Sequence, residues 1–214
     1  MDVARFLQYI ASGTAYTVGV TLIALPSGLL LGLLLALLNV YSGKISRWLT
    51  SLYSTVMRGI PPIVLLFILY FIVSGSINLS PFLAGSISLG IVSSAYQMEI
   101  IRGAILSVSG EQMMAARAIG MSKQQAIRNV ILPQTLRLAI PPWSNEAAIV
   151  IKDSSLVYAL GVPEILRRAQ LISASTQQPF LAYAAAAAIY FILVFITSRL
   201  LDRLEIRLRI PANP

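Results

Sequence analysis

Three charges stand out in an otherwise apolar stretch: Glu146, Lys152 and Asp153, flanked by Ser144, Asn145, Ser154 and Ser155. A charge at the centre of a membrane helix costs about 2.5–3.5 kcal/mol on insertion scales, so each one requires a compensating role. Seven residues make nearly two helical turns, which puts Asn145 and Lys152 on one face and Glu146 and Asp153 on another. In a helix from about Pro141 to Gly161, Lys152 and Asp153 fall near the midplane, where transporters bind their substrates; a helix shifted several residues earlier, which hydropathy also allows, would put them at the outer interface. Asn145, Glu146, Lys152, Asp153 and Ser155 then offer both signs of charge and neutral hydrogen-bonding groups. Such a set suits a molecule bearing an ammonium and a carboxylate, as an amino acid does. Gln97, with Ser93 and Ser94, is placed to face the same cavity. The net acidity of Glu146, Lys152 and Asp153 tilts the substrate towards a basic amino acid. The alternative for these charges is a structural ion pair that holds a helix bundle together.

Other chemistries are poorly supplied. The 214 residues include no Cys and no His, which removes thiolate catalysis, disulfides, haem and the usual metal ligands, so no metal site is expected. A serine hydrolase would lack its base. No Gly-x-x-x-x-Gly-Lys-Ser/Thr run exists, and Gly43-Lys44 is followed by Ile45. The chain is therefore expected to carry no cofactor, leaving ATP and magnesium, if used, to a separate subunit.

The elements that would hold the charges are membrane helices. Apolar residues make up 57% of the chain and charged residues 11%, too few charges to clothe a soluble domain. Five spans of about twenty residues are predicted. They run near Ala15–Leu38, Ser51–Ser74, Pro81–Leu106, Pro141–Gly161 and Phe180–Leu201, in an all-α polytopic bundle forming one domain over residues 1–214. Pro26 is a predicted kink in the first, whose Gly28 and Gly32 form a small-residue packing face. Arg58, Gly59, Pro61 and Pro62 interrupt the second. No cleavable signal is read at the amino terminus, where Asp2 and Arg5 precede a long apolar span.

The net charge of +8 is read as topology rather than nucleic-acid binding. Lys44, Arg47, Arg102, Arg117, Lys123, Arg128, Arg137, Arg199, Arg203, Arg207 and Arg209 fall on one side. Arg5, Arg167 and Arg168 fall on the other, while Arg58 and Lys152 lie within spans. The amino terminus is thus expected outside and the carboxyl terminus in the cytoplasm. Glu99 and Arg102 sit at helical pairing distance, which favours a structural or gating role.

The segment between spans three and four is built differently. Ser109 precedes Gln112 by three residues and Ser122 precedes Gln125 likewise, both capping-box spacings. Gly120 lies between them, where a helix can end left-handed. Two short cytoplasmic helices meeting at a glycine hinge follow, the first rich in Met113, Met114, Ala115, Ala116 and Ile119. Exposed apolar surface of that kind usually has a partner; the alternative is a plain connecting loop resting on the lipid headgroups. A DNA-binding helix-turn-helix fails, because no third packed helix is present and both ends are tethered to spans.

Ala115-Ala116, Gly120 and Leu132-Pro133 resemble the signature of binding-protein-dependent ABC importer permeases, with Met114 where that family has Glu. "RGIPPIVLLFILYF" from Arg58, "AYQMEIIRGAI" from Ala95, "LPQTLRLAIPP" from Leu132 and "IKDSSL" from Ile151 look like its polar amino-acid branch. The resemblance implies a multi-pass permease of a prokaryotic cytoplasmic (inner) membrane, embedded in lipid. It implies pairing with a second permease copy or paralogue and, through a coupling loop at about 109–133, with two cytoplasmic ATPase subunits. An extracytoplasmic solute-binding protein would deliver the amino acid. An ATP-independent secondary transporter or channel is the alternative, although such proteins often show two repeated halves and none is found here.

Overall fold

A computed structural model describes residues 3–108 and 110–208, with the side chains of 3, 73–77 and 208 outside the description. All secondary structure among the described residues is helical. The elements are α1 (Val3–Ala11), α2 (Thr14–Tyr41), α3 (Lys44–Gly59), α4 (Pro62–Ile77), α5 (Pro81–Ser107), α6 (Gly110–Ala118), α7 (Lys123–Ala126), α8 (Leu132–Asp153), α9 (Ile165–Thr176) and α10 (Pro179–Leu208). A π-helical turn, Ile127–Ile131, joins α7 to α8, and a 3-10 segment, Ser154–Leu160, prolongs α8.

Helix α5 is the central post, packed along α2 and also against α3, α4 and α8. Glycines make the α2–α5 approach close. A Cβ at Gly28 would stand 2.6 Å from Nε2 of Gln97 and 3.0 Å from the Gly90 carbonyl oxygen. One at Gly32 would stand 2.9 Å from the Met98 nitrogen. The predicted small-residue face of α2 is therefore the face that meets α5. Helix α2 runs unbroken through Pro26.

Three apolar clusters follow the length of the bundle. Phe6 and Ile10 of α1 pack with Ile165, Ala169 and Ala182 at one end. Val20, Leu66, Leu89 and Val150 form the middle. Ala36, Met98, Ile101 and Ile131 lie towards the α6–α7 end. The outer surface is apolar as well, with Leu30, Phe71, Phe191 and Ile206 all exposed, as lipid contact requires.

Helix α3 is inverted relative to a soluble amphipathic helix. Ile45, Trp48 and Leu49 are exposed, whereas Thr50 and Ser54 are buried. Asn39 Nδ2 donates to Thr50 Oγ1 at 2.8 Å, Ser54 Oγ donates to Glu99 Oε1 at 2.8 Å, and Tyr53 OH lies 2.6 Å from Ser94 Oγ. Polar bonds face the bundle and apolar groups face out, an arrangement suited to lipid.

The predicted spans need two corrections. Ala4–Tyr41 and Pro179–Arg207 are each long and apolar enough to cross a membrane; Lys44–Gly59 and Pro62–Ile72 qualify only as a pair bent by 114°. The second predicted span is therefore two helices meeting at Ile60, whose extended backbone (φ −107°, ψ 137°) is what a following proline demands. Helix α5 has 27 residues and α8 has 22, which give about 40 and 33 Å at 1.5 Å per residue. Length suits both to a bilayer, while their polar residues lower their hydropathy.

The fourth helix starts nine residues before the predicted Pro141. Pro133 occupies its first turn, while Pro141 and Pro142 lie inside it. Gly161 does end the rod, with φ +84°. Lys152 and Asp153 thus stand at the end of α8, not at its middle, and Glu146 is the central residue of the rod from Leu132 to Leu160.

Candidate functional site

Helix α8 turns Trp143, Glu146 and Asp153 towards α5 because residues three, seven and ten apart share a helical face. Helix α5 answers with Ser93, Tyr96 and Gln97. Between them lies a cavity of about 280 Å³ lined by Pro62, Ser93, Tyr96, Glu146, Ile149 and Asp153, among others. Two carboxyl groups line it, and no Lys or Arg is among its lining residues.

The wall behind Glu146 is hydrogen-bonded throughout. Ser93 Oγ donates to Glu146 Oε1 at 2.7 Å, Gln97 Nε2 donates to Ser93 Oγ at 3.0 Å, and Trp143 Nε1 donates to Gln97 Oε1 at 2.8 Å. Gln97 Nε2 also donates to the Leu25 carbonyl at 3.2 Å, tying α2 to the same knot. Gln97 is wholly buried, and Ser93 and Glu146 nearly so. Buried polar groups that are fully partnered specify one arrangement instead of several.

Of the residues singled out from sequence, Glu146 and Asp153 share this cavity, and Gln97 stands behind it through Ser93. Asn145 and Lys152 do share a face, but it is an exposed one outside the cavity. Ser155 is half-buried in the 3-10 segment and is not in the lining. Sequence reading passed over Trp143 and Tyr96. Trp143 offered one signal, an indole N–H that needs an acceptor once it leaves water.

The Glu99–Arg102 pair forms as spaced, Arg102 Nη2 to Glu99 Oε2 at 2.7 Å. Glu164 was also passed over. It is fully buried and caps α9, accepting from the Leu166 and Arg167 amides at 2.8 and 2.6 Å and from Tyr190 OH at 2.5 Å. Burial pushes its carboxyl above the ordinary range, against the opposing pull of these hydrogen bonds.

At the opposite end, α6 closes in a Schellman motif. Met121 N donates to Ala116 O and Gly120 N to Arg117 O, both at 3.1 Å, with Gly120 at φ +91°. The second capping box is complete: Gln125 N donates to Ser122 Oγ at 3.2 Å and Ser122 N to Gln125 Oε1 at 2.7 Å. Ser109, the start of the first, lies outside the described residues. Ala116 is buried, Ala115, Gly120 and Pro133 are exposed, and Leu132 is half-buried. Ile119 and Met114 are 75% and 65% exposed.

Comparison with known proteins agrees with this architecture. The family described as binding-protein-dependent transport system inner membrane component matches residues 28–210. The L-cystine transport system permease protein TcyB of Bacillus subtilis is 37% identical over 205 residues, covering 95% of this chain and 88% of its own. The glutamine transport system permease protein GlnP of Escherichia coli K12 is 35% identical, covering 95% and 94%. The octopine transport system permease protein OccQ of Rhizobium meliloti is 35% identical, covering 91% and 87%. All three are named as permeases rather than enzymes. A crystal structure of an amino acid ABC transporter with histidines superposes with a TM-score of 0.86 at 35% identity, over 97% of this chain and 99% of that one. An inward-facing structure of the MetNI methionine ABC transporter shares the fold, with a TM-score of 0.84 at 18% identity over 98% of this chain and 100% of that one. The chain is a permease belonging to the family of inner-membrane components of binding-protein-dependent transport systems.

Proposed function

We propose that this chain is the transmembrane subunit of an ATP-driven importer of polar amino acids, with basic amino acids favoured. The observation that carries the preference is the cavity lined by Glu146 and Asp153 without a lysine or arginine. Two carboxyl groups there favour a substrate bearing an extra cation. The kinship to permeases named for cystine, glutamine and octopine transport supports an amino acid or a derivative of one.

In this reading the chain is multi-pass, its α6–α7 end faces the cytoplasm, and its α9 end faces the solute-binding protein. Two ATPase subunits carry ATP and magnesium and dock on the loop at about 109–133, at Ala115, Ala116, Gly120, Leu132 and Pro133. The exposed apolar side chains of Met114 and Ile119 supply the contact surface. A second permease, copy or paralogue, covers the exposed face of α8 that bears Asn145 and Lys152. These two and Ser155 then complete the pathway from that side.

Reconstitution of Asp153→Asn with the ATPase and binding protein tests the substrate assignment. Arginine uptake is expected to fall about tenfold relative to glutamine uptake, equivalent to roughly 1.4 kcal/mol. If both substrates move at the parent rate from an intact complex, the basic preference is wrong.

A further inference from the structure

The hydrogen bonds behind Glu146 have only one workable direction. An indole N–H can donate but not accept, so Trp143 must face the carbonyl oxygen of Gln97 and not its amide nitrogen. That leaves the Gln97 amide hydrogens for the Leu25 carbonyl and the Ser93 hydroxyl oxygen. Ser93, having accepted from Gln97, is left with its own proton to donate, and it donates to Glu146 Oε1. Flipping the amide would set two donors against each other at Trp143 and two acceptors at the Leu25 carbonyl, and would turn the Ser93 proton to Gln97 and away from Glu146. One donor-only group therefore sets the polarity of a four-residue chain that ends on a carboxylate oxygen.

We propose that Trp143 is a positioning residue for substrate selection, its indole N–H acting through Gln97 and Ser93 to hold the Glu146 carboxylate as an acceptor in the cavity. This rests on the reading of that cavity as the amino-acid site. The relay engages Oε1; among the described residues Oε2 takes no hydrogen bond and is the oxygen left to meet a cation. The relay is also held from outside. Gln97 is wholly buried at the junction of α2, α5 and α8, and the missing Cβ of Gly28 is what leaves room for its amide, 2.6 Å from where that carbon would be. Three helices thus fix the orientation of one carboxylate, although Trp143 itself is not among the residues lining the cavity. Fixing the carboxylate in advance removes an ordering cost that a cationic substrate would otherwise meet.

The test uses the complete complex, with permease, ATPase and binding protein in vesicles, and compares arginine with glutamine uptake for the parent, Trp143→Phe, Ser93→Ala, Glu146→Gln and the Trp143→Phe/Glu146→Gln double variant. Phenylalanine keeps an aromatic ring and removes the indole N–H. The ratio of arginine to glutamine uptake is expected to drop about three- to tenfold in Trp143→Phe, through a higher KM for arginine with kcat little changed. Ser93→Ala, a smaller change that cuts the last link, should shift the ratio the same way even if Trp143→Phe assembles poorly. Glu146→Gln should lower the ratio at least as far, and the double variant no further, because both changes act on one carboxylate. A purely structural role would lower uptake of both substrates together, in step with the amount of assembled complex. If Glu146→Gln shifts the ratio while Trp143→Phe and Ser93→Ala do not, the relay is wrong and the cavity assignment stands. If Glu146→Gln leaves the ratio unchanged, the cavity assignment fails and the relay's role in selection fails with it.

Discussion

Two glycines mark the contrast between the middle of this bundle and its α6–α7 end. At Gly28 a Cβ would strike Gln97 Nε2 and the backbone of α5, whereas at Gly120 a Cβ would meet nothing within 4 Å. Gly28 is needed for space and Gly120 for its φ of +91°. The middle buries polar groups and partners them; the hinge exposes apolar groups such as Ile119. Each region departs from what a soluble fold would do, in opposite senses. A buried, partnered polar chain fixes one arrangement of its groups, while an exposed apolar helix leaves a surface open to contact.

The largest expected effect comes from filling the middle. Gly28→Val should disrupt the α2–α5 contact by more than the roughly 1–3 kcal/mol typical of overpacking, because backbone on α5 blocks the way. The expected outcome is little folded permease by size-exclusion chromatography in detergent. A monodisperse, transport-competent Gly28→Val protein would show that the α2–α5 distance is adjustable.

Gly120→Val should act more mildly on the fold. A β-branched residue at positive φ costs about 1–2 kcal/mol, paid only in the hinge. Membrane insertion and yield should match the parent, while ATP hydrolysis by the complex continues with uptake lost or much reduced. Coupling retained at the parent level would make the segment a plain connector.

The smallest effect is expected at Glu164, outside both regions. Its pKa in the folded chain is raised above 4.5, so the native state holds this proton more tightly than the unfolded chain does. Its favourable contribution is therefore full below the ordinary value and is lost as pH rises through the raised one. Glu164→Gln should flatten that part of the stability-versus-pH curve, read as the difference in Tm between the two proteins across the acidic range. Parallel curves for the two would place the titration elsewhere.

The local features were legible because they depend on residues three to five apart. The Ser122–Gln125 capping box, the helix stop at Gly120 and the Glu99–Arg102 pair all form where spacing put them. The small-residue face at Gly28 and Gly32 was legible for a related reason, since only packing explains two glycines four apart in an apolar helix. The start of the fourth helix was misplaced because Pro141 and Pro133 both look like first-turn prolines, and Pro142 lengthened the confusion. Starting at Pro141 puts Lys152 and Asp153 in mid-helix, whereas the earlier start that hydropathy also allowed puts them towards its end, where α8 has them.

The sequence by itself determined that this chain is helical, apolar on its outer surface and hinged at Gly120, and it carried enough of the family pattern to indicate a permease. Composition and short-range spacing suffice for those properties. Only the tertiary structure decided which polar residues meet. Ser93 and Glu146 are 53 positions apart, Gln97 and Trp143 are 46 apart, and Gln97 reaches Leu25 across 72. Nothing in a helical period relates such positions. Their meeting depends on the depth at which α2, α5 and α8 pack against one another, and a slide of one turn, about 5.4 Å, would break all three of these inter-helix bonds and leave only the Gln97–Ser93 bond within α5.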